Sequence, residues 1–170
     1  MRIVTAVVVL ACALAAPAGG LSAPAEQVHV SGSGFGTGLV AGDHVQVGAR
    51  SDADGTAATG HLEIEGFFNG VEPIHQSAAV ECVRVQGNRA VVVGRLPAPF
   101  TSDQTPGVVY THAAVLVEDN GAPVGGQPVD RMLDFDLRES TAHAFCDTDL
   151  AFAFLPLATP IESGKYVVTP

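Results

Sequence analysis

Residues 80–96 read VECVRVQGNRAVVVGRL. Six valines crowd this stretch, and Gly87-Asn88 breaks it once. β-Branched side chains favour the pleated strand, and Gly and Asn tolerate the left-handed backbone of a tight turn. The stretch therefore predicts two strands, residues 79–86 and 89–96, joined as a hairpin around Gln86–Arg89. Apolar residues stand on both parities: Val83 and Val85 on one face, Val80 and Cys82 on the other. Such strands are expected to lie centrally and to be covered on both sides.

The chain on either side keeps the same idiom. Residues 27–36, 43–51 and 59–67 alternate apolar and polar positions. Leu62 and Ile64 take one face of the last, and His61, Glu63 and Glu65 the other. A period of two marks a sheet with one wet face. The glycines at 32, 34, 36 and 38 predict a bulge or loose edge in the first strand. Downstream, LPAPFTSDQTP (96–106) reads as a loop, and 108–118 and 130–139 as strands. LAFAFLPL (150–157) and KYVVT (165–169) read as closing strands, and a helix within 139–153 is the minor alternative. No βαβ alternation occurs. The expectation is an all-β fold, an antiparallel sandwich or small barrel of about eight or nine hairpin-linked strands.

The first 25 residues differ. Arg2 precedes an apolar run from Ile3 to Ala16, and small residues and prolines follow. This is the layout of a signal peptide, with cleavage expected after Ala25. Residues 26–170 then form a single β-rich domain without a stable membrane span. Cys12 lies in the apolar run, and lipid anchoring through it is the minor alternative to a secreted or extracellular destination. Cys82 and Cys146 remain in the exported part, so one disulfide, Cys82–Cys146, is expected.

The formal charge is −10, and removing Arg2 with the leader makes the chain more acidic still. That balance excludes a nucleic-acid partner, which needs clustered Lys and Arg. A cell-envelope component or a small ligand is left as the partner.

Candidate chemistry is sparse. Ser51-Asp52-Ala53-Asp54-Gly55 opens like a calcium loop, but Thr56, Ala57 and Ala58 supply no further ligands, so a plain turn is preferred. His61, Glu63 and Glu65 share one strand face and could meet a metal. Zinc needs a further ligand from elsewhere, so a solvated face is preferred. No cofactor and no metal ligand is assigned. Asp134 and Asp136 share a face and read as ordinary exposed acids. Ser31 and Ser33 lie outside any G-x-S-x-G setting, so no catalytic residue is assigned. Without Trp, a stacking platform for sugars is disfavoured.

The segments ARSDADGTAATGHLEIEG, VECVRVQGNRAVVVGRL, VLVEDNG and PIESGKYVVTP occur in this order. In that order the chain resembles small secreted bacterial β-rich proteins of uncharacterised function. These have a Cys-containing strand ending in a Gly-Asn-Arg-Ala turn, an Asp-Asn-Gly turn and an SG-x-x-VV tail. The resemblance implies the fold and no activity.

Two functions fit. One is an exported, non-catalytic β-domain with a structural or binding role. The other is a barrel-shaped small-ligand carrier or cyclase-like enzyme with an internal pocket, for which Tyr110, His112, Arg84 and His61 are the polar strand residues to inspect first.

Overall fold

A computed structural model describes residues 27–36, 42–55, 57–68, 70–122 and 129–170. The expected leader, residues 1–25, and Cys12 within it lie outside them. Nine antiparallel strands make one sheet curled into a half-barrel. They are β1 (Gln27–Gly36), β2 (Asp43–Asp52), β3 (Thr59–Phe68), β4 (Glu72–Gln86), β5 (Arg89–Phe100), β6 (Tyr110–Glu118), β7 (Arg131–Leu137), β8 (Thr159–Pro160) and β9 (Ser163–Thr169). The first eight pair in sequence order, and β9 returns to pair with β1. Helix α1 (Glu139–Asp147) and a 3-10 helix (Leu150–Leu157) connect β7 to β8.

The hairpin in the opening stretch forms as its residues dictate. Gln86 pairs with Arg89, and Gly87 takes φ +64°, a conformation that glycine adopts without steric cost. Arg89 binds Glu118 on β6 at 3.0 Å, and Asn88 Nδ2 donates to the carbonyl of Asp119 at 2.8 Å.

Alternation fails within β4, for a local reason. A bulge lies between Val80 and Cys82. An extra residue resets the side-chain parity. Val80, Val83 and Val85 therefore all pack against the inner core, and Cys82 alone turns outward. There it meets Cys146 of α1 in a disulfide, with Cα atoms 5.9 Å apart.

The inner core is aliphatic. Val30, Val45, Leu62, Ile64, Val92 and Val115 fill the curl together with Tyr166, all buried. The Tyr166 hydroxyl donates to the carbonyl of Val45 at 3.1 Å and lies 3.2 Å from the Met132 sulfur. A second core lies on the outer face of β4–β7. Val91, Val93, Leu116, Leu133 and Leu137 are covered there by Ala142 and Phe145 of α1 and by Ala151 and Leu155 of the 3-10 helix.

Further sequence expectations change. LAFAFLPL is a 3-10 helix, not a strand. A short apolar run has no decisive period, and this one is needed as a lid across the outer face. LPAPF is extended and forms the end of β5. The glycine-rich β1 is no loose edge, since β2 and β9 pair with it on both sides. Gly32 takes φ +143°, and a Cβ there would press on the β9 backbone at Lys165 and Tyr166, so the position requires glycine.

The outer edge of β9 is met by side chains. Tyr166 N–H donates to Asp130 Oδ2 at 2.8 Å and Val168 N–H to Asp119 Oδ2 at 3.0 Å. Carboxylates thus occupy the donors that an exposed edge would offer to another chain. No described helix is long and apolar enough to cross a membrane.

Candidate functional site

Polar residues gather inside the half-barrel near one end. That end holds the start of β2, the end of β3, the start of β4 and the end of β7. Asp43, Gln76, Asp134 and Asp136 occupy inward positions of the alternation that valines fill elsewhere. Gly66 makes room for Asp43, because a Cβ there would overlap the Asp43 carboxyl. Asp43 Oδ1 accepts the N–H of Phe67 at 3.0 Å. Gln76 Nε2 reaches across the curl and donates to Asp136 Oδ1. Gln76 itself is 6% exposed, and its Oε1 has no hydrogen-bond partner among the described residues.

The acids sit in one another's field. Burial pushes Asp134 up to about 7, and the charges of Asp43 and Asp136 add to it. Burial pushes Asp136 up to about 6, against the Gln76 hydrogen bond and with the Asp43 charge. Asp43 is raised by burial too, with the Phe67 N–H opposing. Carboxyls so placed take up protons near neutrality instead of all ionising together.

A cleft opens beside this layer. The β4–β5 ladder starts only at Ala79 and Arg95, while β5 runs on to pair Phe100 with Tyr110. Pro97 and Pro99 bring no N–H to a ladder, so β5 parts from the first half of β4. The gap has a volume of about 420 Å³ and is lined by Ile74, Leu96, Pro97 and Phe100, with Glu72 and Gln76 among its polar walls. Phe68, Phe100 and Tyr110 cluster at the same end, their ring centroids 5.1 to 5.9 Å apart.

The four residues singled out for an internal pocket do not converge. Tyr110 joins the aromatic cluster and lies within 3.2 Å of Thr105 Oγ1. His112 is buried on the outer side of the sheet, 3.1 Å from Glu81 and 2.8 Å from Thr111. Arg84 holds the carbonyl of Cys146 and the carboxylate of Asp149. His61 lies on the wet face, 3.9 Å from Glu63. The Asp52 turn is closed by its own backbone: Gly55 N–H donates to the Asp52 carbonyl, and Ala57 N–H to its carboxylate.

Asp134 and Asp136, expected as exposed acids, point inward. The reason is that β7 is covered on both faces, so neither parity is wet. Asp43, Gln76 and His75 carry no motif. For the first two a signal does exist: each is a polar residue at an apolar position, in Asp43-x-Val45-x-Val47 and Gln76-x-Ala78-x-Val80. His75 gains its setting only from strand register.

No family model, curated protein or solved structure matches the chain.

Proposed function

We propose that this protein is an exported, non-catalytic β-domain that works as a binding module. Its ligand lies in the cleft between β4 and β5 and presents an N–H or ammonium group to Gln76. The observation that carries this reading is the Gln76 side chain. It lines the cleft, its amide nitrogen donates to Asp136, and its buried carbonyl oxygen has no donor among the described residues, so a ligand must draw the side chain toward the cleft to reach it. A buried acceptor without a donor is costly, and a ligand that supplies one relieves that cost. The acids behind Gln76 favour a cationic group and oppose a carboxylate. The apolar walls suit an aliphatic or aromatic body. The leader and the disulfide support export.

The filled aliphatic interior argues for a module over a deep cup. The second reading, a small-ligand carrier or cyclase-like enzyme, draws support from Asp134 and Asp136, whose protons are poised where a general acid works.

The test is calorimetric titration of the purified protein with alkylamines, short peptides, sugars and fatty acids. Amine- or amide-bearing compounds should bind, and Gln76→Ala should weaken them by about tenfold or more. Binding of fatty acids alone, or amine binding indifferent to Gln76→Ala, would contradict the reading. Chemical turnover of a bound compound would favour the enzyme.

A further inference from the structure

We propose that the outer face of β3 and β4 carries a divalent transition-metal site formed by Glu63, Glu65 and His75, with His61 as a fourth donor. Strand period places His61, Glu63 and Glu65 in a row facing solvent, while Leu62 and Ile64 enter the core. One strand alone offers a line of donors, which cannot surround an ion. Register supplies the missing direction: His75 on β4 stands directly opposite Glu65 and diagonal to Glu63. Its Nδ1 lies 3.0 Å from Glu65 Oε1 and its Nε2 lies 3.7 Å from Glu63 Oε1. His61 Nε2 lies 3.9 Å from the other Glu63 oxygen. One ligand atom from each of Glu63, Glu65 and His75 falls within 4.8 Å of the others. Small rotamer changes bring such atoms to the roughly 2 Å bonds of a zinc-type ion.

The donor set selects the ion. Two carboxylates balance a double charge, and imidazole nitrogen directs the choice to zinc, copper or nickel instead of calcium or magnesium. The neighbours that hold Glu63 and Glu65 are histidines, which can themselves ligate, and not arginine or lysine, which would compete with the ion. The site is accessible: the side chains of His75, Glu65 and His61 are more than half exposed, and Glu63 at the centre is 32% exposed. His75 also lines the cleft between β4 and β5. Metal binding nonetheless requires no cleft ligand.

The test uses the purified protein after chelator treatment, titrated calorimetrically with zinc chloride and, separately, with cobalt(II) followed by visible absorption. One ion should bind per chain, and cobalt should give the strong bands of a four- or five-coordinate site. Glu63→Gln and His75→Ala should each weaken zinc by about tenfold or more, since even outer partners of metal ligands are worth that much. His143→Ala, on α1 beside Glu139, should leave zinc binding unchanged, and so should Gln76→Ala. Retention by Gln76→Ala separates this site from the cleft reading. Thermal melts check that the surface variants fold. Absence of stoichiometric binding, or zinc binding that survives both Glu63→Gln and His75→Ala, would overturn the proposal.

Discussion

Strands β1–β3 with the first half of β4, and the rest of β4 with β5–β7, belong to one sheet but meet different burial problems. In β2 every second residue from Asp43 to Ser51 is buried, and those between are exposed. In β6, every residue from His112 to Glu118 is buried. The first half is lined on one face only. The second is a three-layer structure, with the inner core below and α1 and the 3-10 helix above. The contrast explains where chemistry can sit. Outward polar residues of the covered half are tied into supports: Glu81, Arg95, Glu139 and His112 form one ionic group beneath and beside α1. Burial alone would raise Glu81, yet hydrogen bonds and charge from Arg95 and His112 hold its carboxyl below the usual range. Among the described residues, the outward His61, Glu63, Glu65 and His75 of the wet half contact one another instead.

The largest test of this division is Cys82→Ser. Cys82 and Cys146 are 64 residues apart, and closing a loop of that length stabilises the fold by about 4 kcal/mol on the chain-entropy account. Chemical denaturation without reductant should show a loss of that order, and reductant should bring the wild type to the same midpoint. Equal stability of oxidised and reduced protein would deny the covered half its clamp.

The sequence made the wet half legible, because β2 alternates from Asp43 to Ser51 without exception and Leu62 and Ile64 keep the same period in β3. The all-β antiparallel class follows from it, as does the hairpin at Gly87, although LAFAFLPL is no strand and the two-residue β8 was not foreseen. The covered half was less legible. Where both parities are apolar, period gives no direction for a side chain, so Asp134 and Asp136 read as surface acids. The bulge at Val80–Cys82 changes parity without any glycine or proline to announce it, and Cys82 then faces opposite to Val80. The cleft needed knowledge of where a ladder stops, and the His75 contact needed register, which lies beyond a single strand.

A middle-sized effect should come from pH. The ordinary carboxyl value of Asp134 is 3.8, and in the fold it is pushed up to about 7. The folded state therefore binds more protons than the unfolded chain between those values. The stabilisation is fully present at the acid end and is lost as pH rises through about 7. Asp136 acts in the same sense through about 6. The melting temperature should fall from pH 5 to pH 8, and Asp134→Asn should flatten that fall and raise the melting temperature at pH 8. A wild-type melting temperature that climbs over this interval would contradict the inward placement of these acids.

The smallest effect is expected on the wet half. Gln46 is an exposed outward residue of β2, and Gln46→Ala should change stability by no more than about 0.5 kcal/mol in a denaturant titration. A loss of several times that amount would mean that something covers this face.

Hydrogen exchange of the wild type with and without reductant tests the two-part sheet most directly. Reduction should release α1 and the 3-10 helix first, so that amides of Ala142–Asp147 and Phe152–Leu155 exchange faster while those of Val45, Val47, Leu62 and Ile64 keep their protection. Equal loss of protection in both halves, or no change in α1, would contradict the account.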